Sequence, residues 1–447
     1  MAYSTDAEVL SEFTGGASVF FAQDLVLAHW HMPPKCYSRY NGVGASYYQR
    51  NASMISEKKT SIDKQPELNL VENKRYQRLK HFGTLAGVLI GIAGLILAVG
   101  CGPEINRIVQ SWLGSNRWWR LIALGFVYAA AFEILSVPLD FWSGFILEHR
   151  FHLSRESFLQ WWWKRIKVYL VGGPIGLILL LGLYSVLWFT GRWWWLAAAL
   201  GWLVVTLVLG RILPVLILPL FYKVRRLEDS NTQERLRQLA AGTGLEVEGV
   251  YTLGLSAETK KANAALTGMG RTRRVLLGDT LLEQFQPEEI DVVFAHELGH
   301  HVHRHLPKFI INEVVLTAAM CFLADRVLAA LAIPLGYPGP LDPAALPLFL
   351  LVVGVFGLCL MPFRNAISRW FERQSDRYAL QRTRNPAAYR SAFTKLAEIN
   401  KADPDPNRFL VWLWHDHPPI RERLALADQL PAQWLSQPAD WARSVLS

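Results

Sequence analysis

The chain has 447 residues, 51% hydrophobic and only 19% charged, with a formal net charge of +9 and a mean hydropathy of +0.17. These values exclude a disordered chain and disfavour an ordinary soluble enzyme; with 18 Trp and 22 Phe they point to the membrane class. The basic excess flanks apolar runs, which discounts nucleic acid as a partner, and Cys36, Cys101, Cys321 and Cys359 lack the CxxC spacing of a disulfide framework or Cys-based zinc site.

Residues 1–80 form an atypical N-terminal segment, mixed in character and polar in its second half. The stretch 17–30 is short and interrupted by Asp24, so it reads as an interfacial helix or a weak additional span. It is not a signal peptide, because Asp6 and Glu8 stand where positive charge is expected. Residues 81–222 hold four apolar runs: 82–101; 121–141, which carries Glu133 and Asp140; 168–190; and 193–222, interrupted by Arg211. Each is about long enough to cross a hydrocarbon core of roughly 30 Å as a helix. Residues 223–306 read as a soluble segment, and 247–278 within it as strands around a loop. Residues 307–363 hold two more runs, 309–333 with Glu313, Asp325 and Arg326, and 345–363. Residues 364–447 read as a second soluble segment, mostly helical. The expected fold is a mainly α polytopic membrane protein with six transmembrane helices, seven if 17–30 is counted. Glu133 and Glu313, deep in their runs, suggest a polar chamber between the helices.

Lys and Arg set the orientation. One set of flanks holds Arg75, Arg78 and Lys80, then Arg150, Arg155, Lys164, Arg165 and Lys167, then Lys223, Arg225 and Arg226. The opposite set is poorer, with none in 334–346. The richer side is expected to be cytoplasmic, which places both soluble segments there.

The strongest chemical signal is His296-Glu297-Leu298-Gly299-His300. Positions i and i+4 share a helix face. Two imidazoles there can bind one zinc, with the intervening Glu placed to work on water. Pro287, Glu288 and Glu289 make a good first helical turn. A His-rich helix end at the membrane interface is the bland alternative, since His301, His303 and His305 follow. Those three do not share the ligand face well and are read as interfacial. Catalytic zinc needs a third protein ligand, and Glu372 is the downstream candidate. Asp376 lies four residues on, and one of the two could ligate zinc while the other, on the same face, orients a ligand imidazole; an exposed charged face is the alternative. Two antiparallel spans between the motifs return them to one side of the membrane. His417 and Arg423 in HPPIRER are potential donors to an oxyanion or a substrate carboxylate, against a His-Pro turn capping a helix. An exposed edge strand near Asn263 could hold an extended peptide; a turn Asn is the alternative.

Taken together these motifs resemble the integral-membrane zinc CAAX prenyl proteases, HExxH peptidases of the gluzincin type. HELGH at 296–300, NAISRWFERQSD at 365–376 and HPPIRERL at 417–424 occur in the family's order. LPLFYKVRRLEDSN at 218–231, GFILEHRFHLS at 144–154 and KKANAALTGMGRTRRVLLGDTLL at 260–282 are similar to further family segments, and the resemblance covers roughly 75–447. It implies one zinc per chain on His296, His300 and Glu372, with Glu297 as general base. It implies Asn263 as a contact to the substrate backbone, His417 and Arg423 as oxyanion or substrate donors, and Asp376 as support for a ligand histidine. It also implies a cytoplasmic peptidase domain with a small β-sheet, and a water-filled chamber inside the bundle. The family's usual seven spans and its ExxAD differ from the six spans and ExxSD found here. The expected activity is zinc-dependent hydrolysis of a peptide or membrane-protein substrate, prenylated at its C-terminus in the CAAX case, at the lipid bilayer. The alternatives are an HtpX-like quality-control protease of membrane proteins and a non-enzymatic membrane carrier.

Overall fold

The computed structural model describes residues 65–245, 249–267 and 274–429; the stretch 17–30 lies outside them. Helix α1 (Gln65–Leu113) and α2 (Arg117–Asp140) are joined by a tight turn in which Gly114 takes φ +72 and Asn116 caps α2 by accepting from Trp118 N at 2.9 Å. A π-helical stretch, Phe141–Leu147, follows α2 directly. Ser157 and Gln160 form a capping box that starts α3 (Phe158–Thr190). Gly191, at φ +52, then breaks the helix, and α4 (Trp194–Ile212) packs back against α3.

Among the described residues five helical runs are long and apolar enough to cross a membrane: Leu70–Leu113, Arg117–Arg150, Phe158–Ile212, His305–Leu331 and Pro343–Thr383. The third is the α3–α4 pair, so all six predicted apolar segments fall on helices. The chain is an integral membrane protein, and 77% of its described residues are helical. Their shared core runs from Leu95 and Val99 through Leu121, Tyr184 and Trp194 to Leu328 and Phe349.

Glu133, Asp140 and Glu313, the acidic groups deep in the spans, are paired with arginines. Arg165 on α3 holds Asp140 at 2.8 Å and also bonds Glu133 and Tyr169. Glu313 pairs with Arg364. At the far end of the bundle Arg120, 7% exposed, donates to Asn106 at 2.7 Å and pairs with Asp342 at 2.7 Å. Trp188 donates to the Leu341 carbonyl at 2.9 Å, and the Tyr337 hydroxyl to that of Val99 at 2.7 Å. These bonds tie the loop after residue 331 to the first three helices.

Between the α4 end and the next span lies a small four-stranded sheet: β1 (Val224–Arg226), β2 (Gly249–Leu253), β3 (Ala264–Thr267) and β4 (Arg274–Gly278), in the order β1-β2-β4-β3. β2 and β4 are parallel, and the outer strands are antiparallel to their neighbours, so β3 is an edge strand among the described residues. Helix α5 (Ser230–Ala240) separates β1 from β2, and α6 (Asp279–Gln284) follows β4. Helix α7 (Pro287–Val302) packs on β3, then α8 (His305–Leu331) re-enters the bundle and α9 (Leu346–Thr383) returns. The 38 residues of α9 carry the last apolar run and Glu372 on one continuous helix. Helices α10 (Pro386–Ile399), α11 (Arg408–Trp414) and α12 (Ile420–Leu426) complete the described chain. A second core, from Leu236 and Leu277 through Phe294 to Tyr389 and Phe393, binds sheet and helices together.

Candidate metal centre

Helix α7 begins at Gln286, whose side chain accepts from the third helical residue while Glu289 Oε2 accepts from Gln286 N at 2.7 Å. Pro287 occupies the first helical position, where its missing N–H has no cost. Val292, Phe294, Ala295 and Leu298 are each at most 1% exposed, so the helix runs through the core rather than over it. This start places His296 and His300 one turn apart, opposite α9. The two helices approach most closely at Gly299, where a Cβ would lie 2.8 Å from Ser375 Cα.

Three side chains converge there. His296 Nε2 lies 3.2 Å from Glu372 Oε2, His300 Nε2 lies 3.1 Å from Glu372 Oε1, and the two Nε2 atoms are 3.3 Å apart. Donors at about 2.0–2.2 Å from a tetrahedral zinc stand roughly 3.3–3.6 Å from one another, so the triangle has nearly the size zinc requires. The donor set, two imidazoles and a carboxylate within 4.8 Å of one another, suits that ion. Electrostatics agree. Burial would lower the His296 pKa, but Glu372 and Asp376 more than offset it and push it up to about 9. The pocket is thus electrostatically suited to a cation.

The surrounding groups fix these atoms. Asp376 Oδ1 is 3.0 Å from His296 Nδ1, so that nitrogen donates and Nε2 keeps its lone pair for the centre. Arg423, 1% exposed, grips Asp376 with two bonds, Nη2 to Oδ1 at 2.6 Å and Nε to Oδ2 at 2.9 Å. Its guanidinium lies 4.1 Å from the Phe393 ring centroid, and Nη1 has no hydrogen-bond partner among the described residues. His417 Nε2 is 3.3 Å from Glu372 Oε2, and its Nδ1 is 2.8 Å from Asp416 Oδ1. Arg369 donates to the carbonyls of Val411, at 2.9 Å, and His415, clamping the segment that presents His417. A small cleft beside the triangle is lined by Asn263, Ala264, His296, Glu297, Phe393 and Arg423. Asn263 is 5% exposed and its Oδ1 accepts from Ala264 N at 2.7 Å, at the start of the edge strand β3.

All eight residues singled out in the sequence thus lie at one place. Reading the sequence missed Asp416, Gln374 and His305. Asp416 is signalled only by preceding His417. His305 was set apart as interfacial, yet it is 1% exposed and its Nδ1 lies 3.1 Å from His300 Nδ1. On an unbroken helix, position +5 stands about 140° round from His300. Arg304, in the left-handed conformation at φ +54, breaks the helix and brings His305 back.

A helical membrane bundle fused to a small sheet, with a His-Glu-Leu-Gly-His helix facing a third acidic ligand candidate, defines a membrane metallopeptidase. Residues 69–223 match the family model described as CAAX prenyl protease N-terminal, five membrane helices, and residues 226–430 match peptidase family M48. The uncharacterized metalloprotease YhfN of Bacillus subtilis (strain 168) is 27% identical over 375 residues, covering 83% of this chain and 87% of that protein. CAAX prenyl protease 1 of Saccharomyces cerevisiae is 27% identical over 323 residues, covering 66% and 69%. The crystal structure of S. mikatae Ste24p shares the fold, with a TM-score of 0.67 and 23% identity over 80% of this chain and 88% of that one. The chain belongs to the integral-membrane M48 zinc peptidases of the CAAX prenyl protease type, and it is a metalloprotease that hydrolyses peptide bonds.

Proposed function

We propose that hydrolysis takes place at one zinc ion per chain held by His296, His300 and Glu372, and that Glu297 is the general base. Bound there, zinc supplies a Lewis acid and lowers the pKa of water toward neutrality. The substrate lies extended along the edge of β3, with Asn263 holding its backbone. Glu297 takes a proton from the attacking water and returns it to the leaving amine. Arg423, through Nη1, and His417 stabilise the charge that develops on the carbonyl oxygen. Asp376 keeps His296 in the tautomer whose Nε2 faces the centre, and Asp416 orients His417. The observation that carries this reading is the shared cleft, in which Glu297 lines the same space as His296, Asn263 and Arg423.

The substrate we assign is a prenylated C-terminal CAAX peptide, supported by the activity named for the yeast relative. The centre faces the cytoplasm, supported by the Lys and Arg excess around 75–80, 150–167 and 223–226. In this division 81–222 and 307–363 form the membrane part, and 223–306 with 364–447 the peptidase part. Glu297→Gln protein should retain one zinc and fail to cleave a farnesylated CAAX peptide that the wild type cleaves. Normal turnover by Glu297→Gln would refute the general-base assignment. Cleavage of an unlipidated membrane protein in place of the farnesylated peptide would favour an HtpX-like quality-control role. Reporter fusions at residues 340 and 447 test the orientation; a C-terminus outside the cytoplasm overturns it.

A further inference from the structure

We infer that His305 is a positioning residue for His300: it accepts the His300 Nδ1 proton and so turns Nε2 toward the metal centre. The inference rests on the proposed assignment of His300 as a ligand. His305 is the first residue of α8, 1% exposed, brought beside His300 by the left-handed turn at Arg304. Its Nδ1 lies 3.1 Å from His300 Nδ1, and its Nε2 lies 3.5 Å from Gln374 Oε1 on α9. The ring stacks with two others. The Phe371 centroid is 4.2 Å away at an interplanar angle of 13°, and that of His303 5.5 Å away at 24°.

Hydrogen-bond polarity admits one arrangement. If His300 Nε2 is a ligand it carries no proton, so Nδ1–H must donate. His305 Nδ1 is then the acceptor, and the remaining proton of neutral His305 sits on Nε2. That proton faces an amide oxygen, which only accepts. A reversed Gln374 amide would present a donor to Nε2–H and break the chain. The donor order from His300 through His305 to the Gln374 oxygen is therefore consistent along its length.

The same requirement is met differently for the two imidazoles. His296 leans on the carboxylate of Asp376, at 3.0 Å, whereas His300 leans on a neutral ring. An anionic partner raises the basicity of a ligand imidazole more than a neutral one does. The pair thus supplies one strong and one moderate nitrogen donor, while Glu372 brings the one carboxylate among the three. His305 is also the point at which a membrane helix begins, so the donor geometry is coupled to the seating of α8.

The test measures zinc affinity of detergent-purified protein by chelator competition, for the wild type, His305→Asn and His305→Phe, together with the melting temperature of each metal-free protein. Asn places an acceptor oxygen near the position of Nδ1; Phe keeps the stacking and removes the acceptor. The expected result is wild-type affinity within about threefold for His305→Asn and a loss of about 10- to 100-fold for His305→Phe, with metal-free melting temperatures unchanged. Equal affinity in both variants overturns the inference while leaving the ligand assignment standing. A metal-free His305→Phe protein that melts well below the wild type makes the residue merely structural and also overturns it. A wild type that takes up no zinc would instead sink the ligand assignment itself.

Discussion

Gly299 on α7 and Ser375 on α9 touch where the helices bearing His296, His300 and Glu372 cross: a methyl group on Gly299 would stand 2.8 Å from Ser375 Cα. That atom is backbone and cannot swing aside, so the helices must part. Gly299→Ala should therefore act on the metal site although it alters no ligand. Overpacking of this kind costs about 1–3 kcal/mol. Melting temperature and zinc retention against a chelator should fall together; unchanged zinc retention would show that the crossing has slack.

Arg423 and Asp376 form a buried ion pair, 1% and 0% exposed. Asp376→Ala strands the guanidinium, and breaking such a pair costs about 3–5 kcal/mol. The double variant Asp376→Ala/Arg423→Met removes both charges and should recover part of that loss. Chemical denaturation of the single and double variants measures it; a double variant no more stable than the single one would refute the account.

Glu289 links pH to the start of α7. Burial would raise its carboxyl pKa, but Lys395 at 2.7 Å, with Ser391 and the Gln286 backbone, holds it below 4.5. The unfolded chain binds this proton more readily than the folded one. The stabilisation is thus complete above the unfolded pKa and disappears as pH falls through the lower folded value. The melting temperature of the wild type should exceed that of Glu289→Gln at pH 6, and the gap should narrow below pH 4.5. A gap independent of pH would mean that the carboxylate charge contributes nothing.

Arg369 offers a separation of chemistry from metal binding. Arg369→Ala frees the carbonyls of Val411 and His415, and with them the loop that presents His417. Misplacement by about 1 Å can lower turnover about 100-fold. Zinc content should stay at the wild-type value, because His296 and His300 on α7 and Glu372 on α9 lie outside that loop. Loss of zinc in this variant would show that the loop is part of the metal site.

The site was legible in the sequence where chemistry follows local period. The i, i+4 spacing of His296 and His300 needs only a helix, and Pro287 with Glu289 announces where that helix starts. The six apolar runs were legible for the same reason, since length and charge-free composition decide a span. What could not be read depends on a single backbone torsion or a distant partner. His305 fell off the ligand face of an ideal helix, and only the turn at Arg304 returns it. Glu133 and Glu313 suggested a polar chamber; their pairing with Arg165 and Arg364 depends on which helices adjoin, and no local pattern encodes that.

Helix α9 runs unbroken from its apolar half to Glu372, and α7 gives way to α8 within three residues. Glu372 stands nine residues beyond Phe363, the last residue of the apolar run. At 1.5 Å per residue this is about 14 Å along a stiff rod. The altitude of the centre above the hydrocarbon is thus built in, like the fixed jaw of a gauge. If the substrate is moored in the same bilayer, as the proposed prenylated peptide would be, it can offer only the bond that lies one matching length from the mooring, and the position of the anchor would then select what is cut.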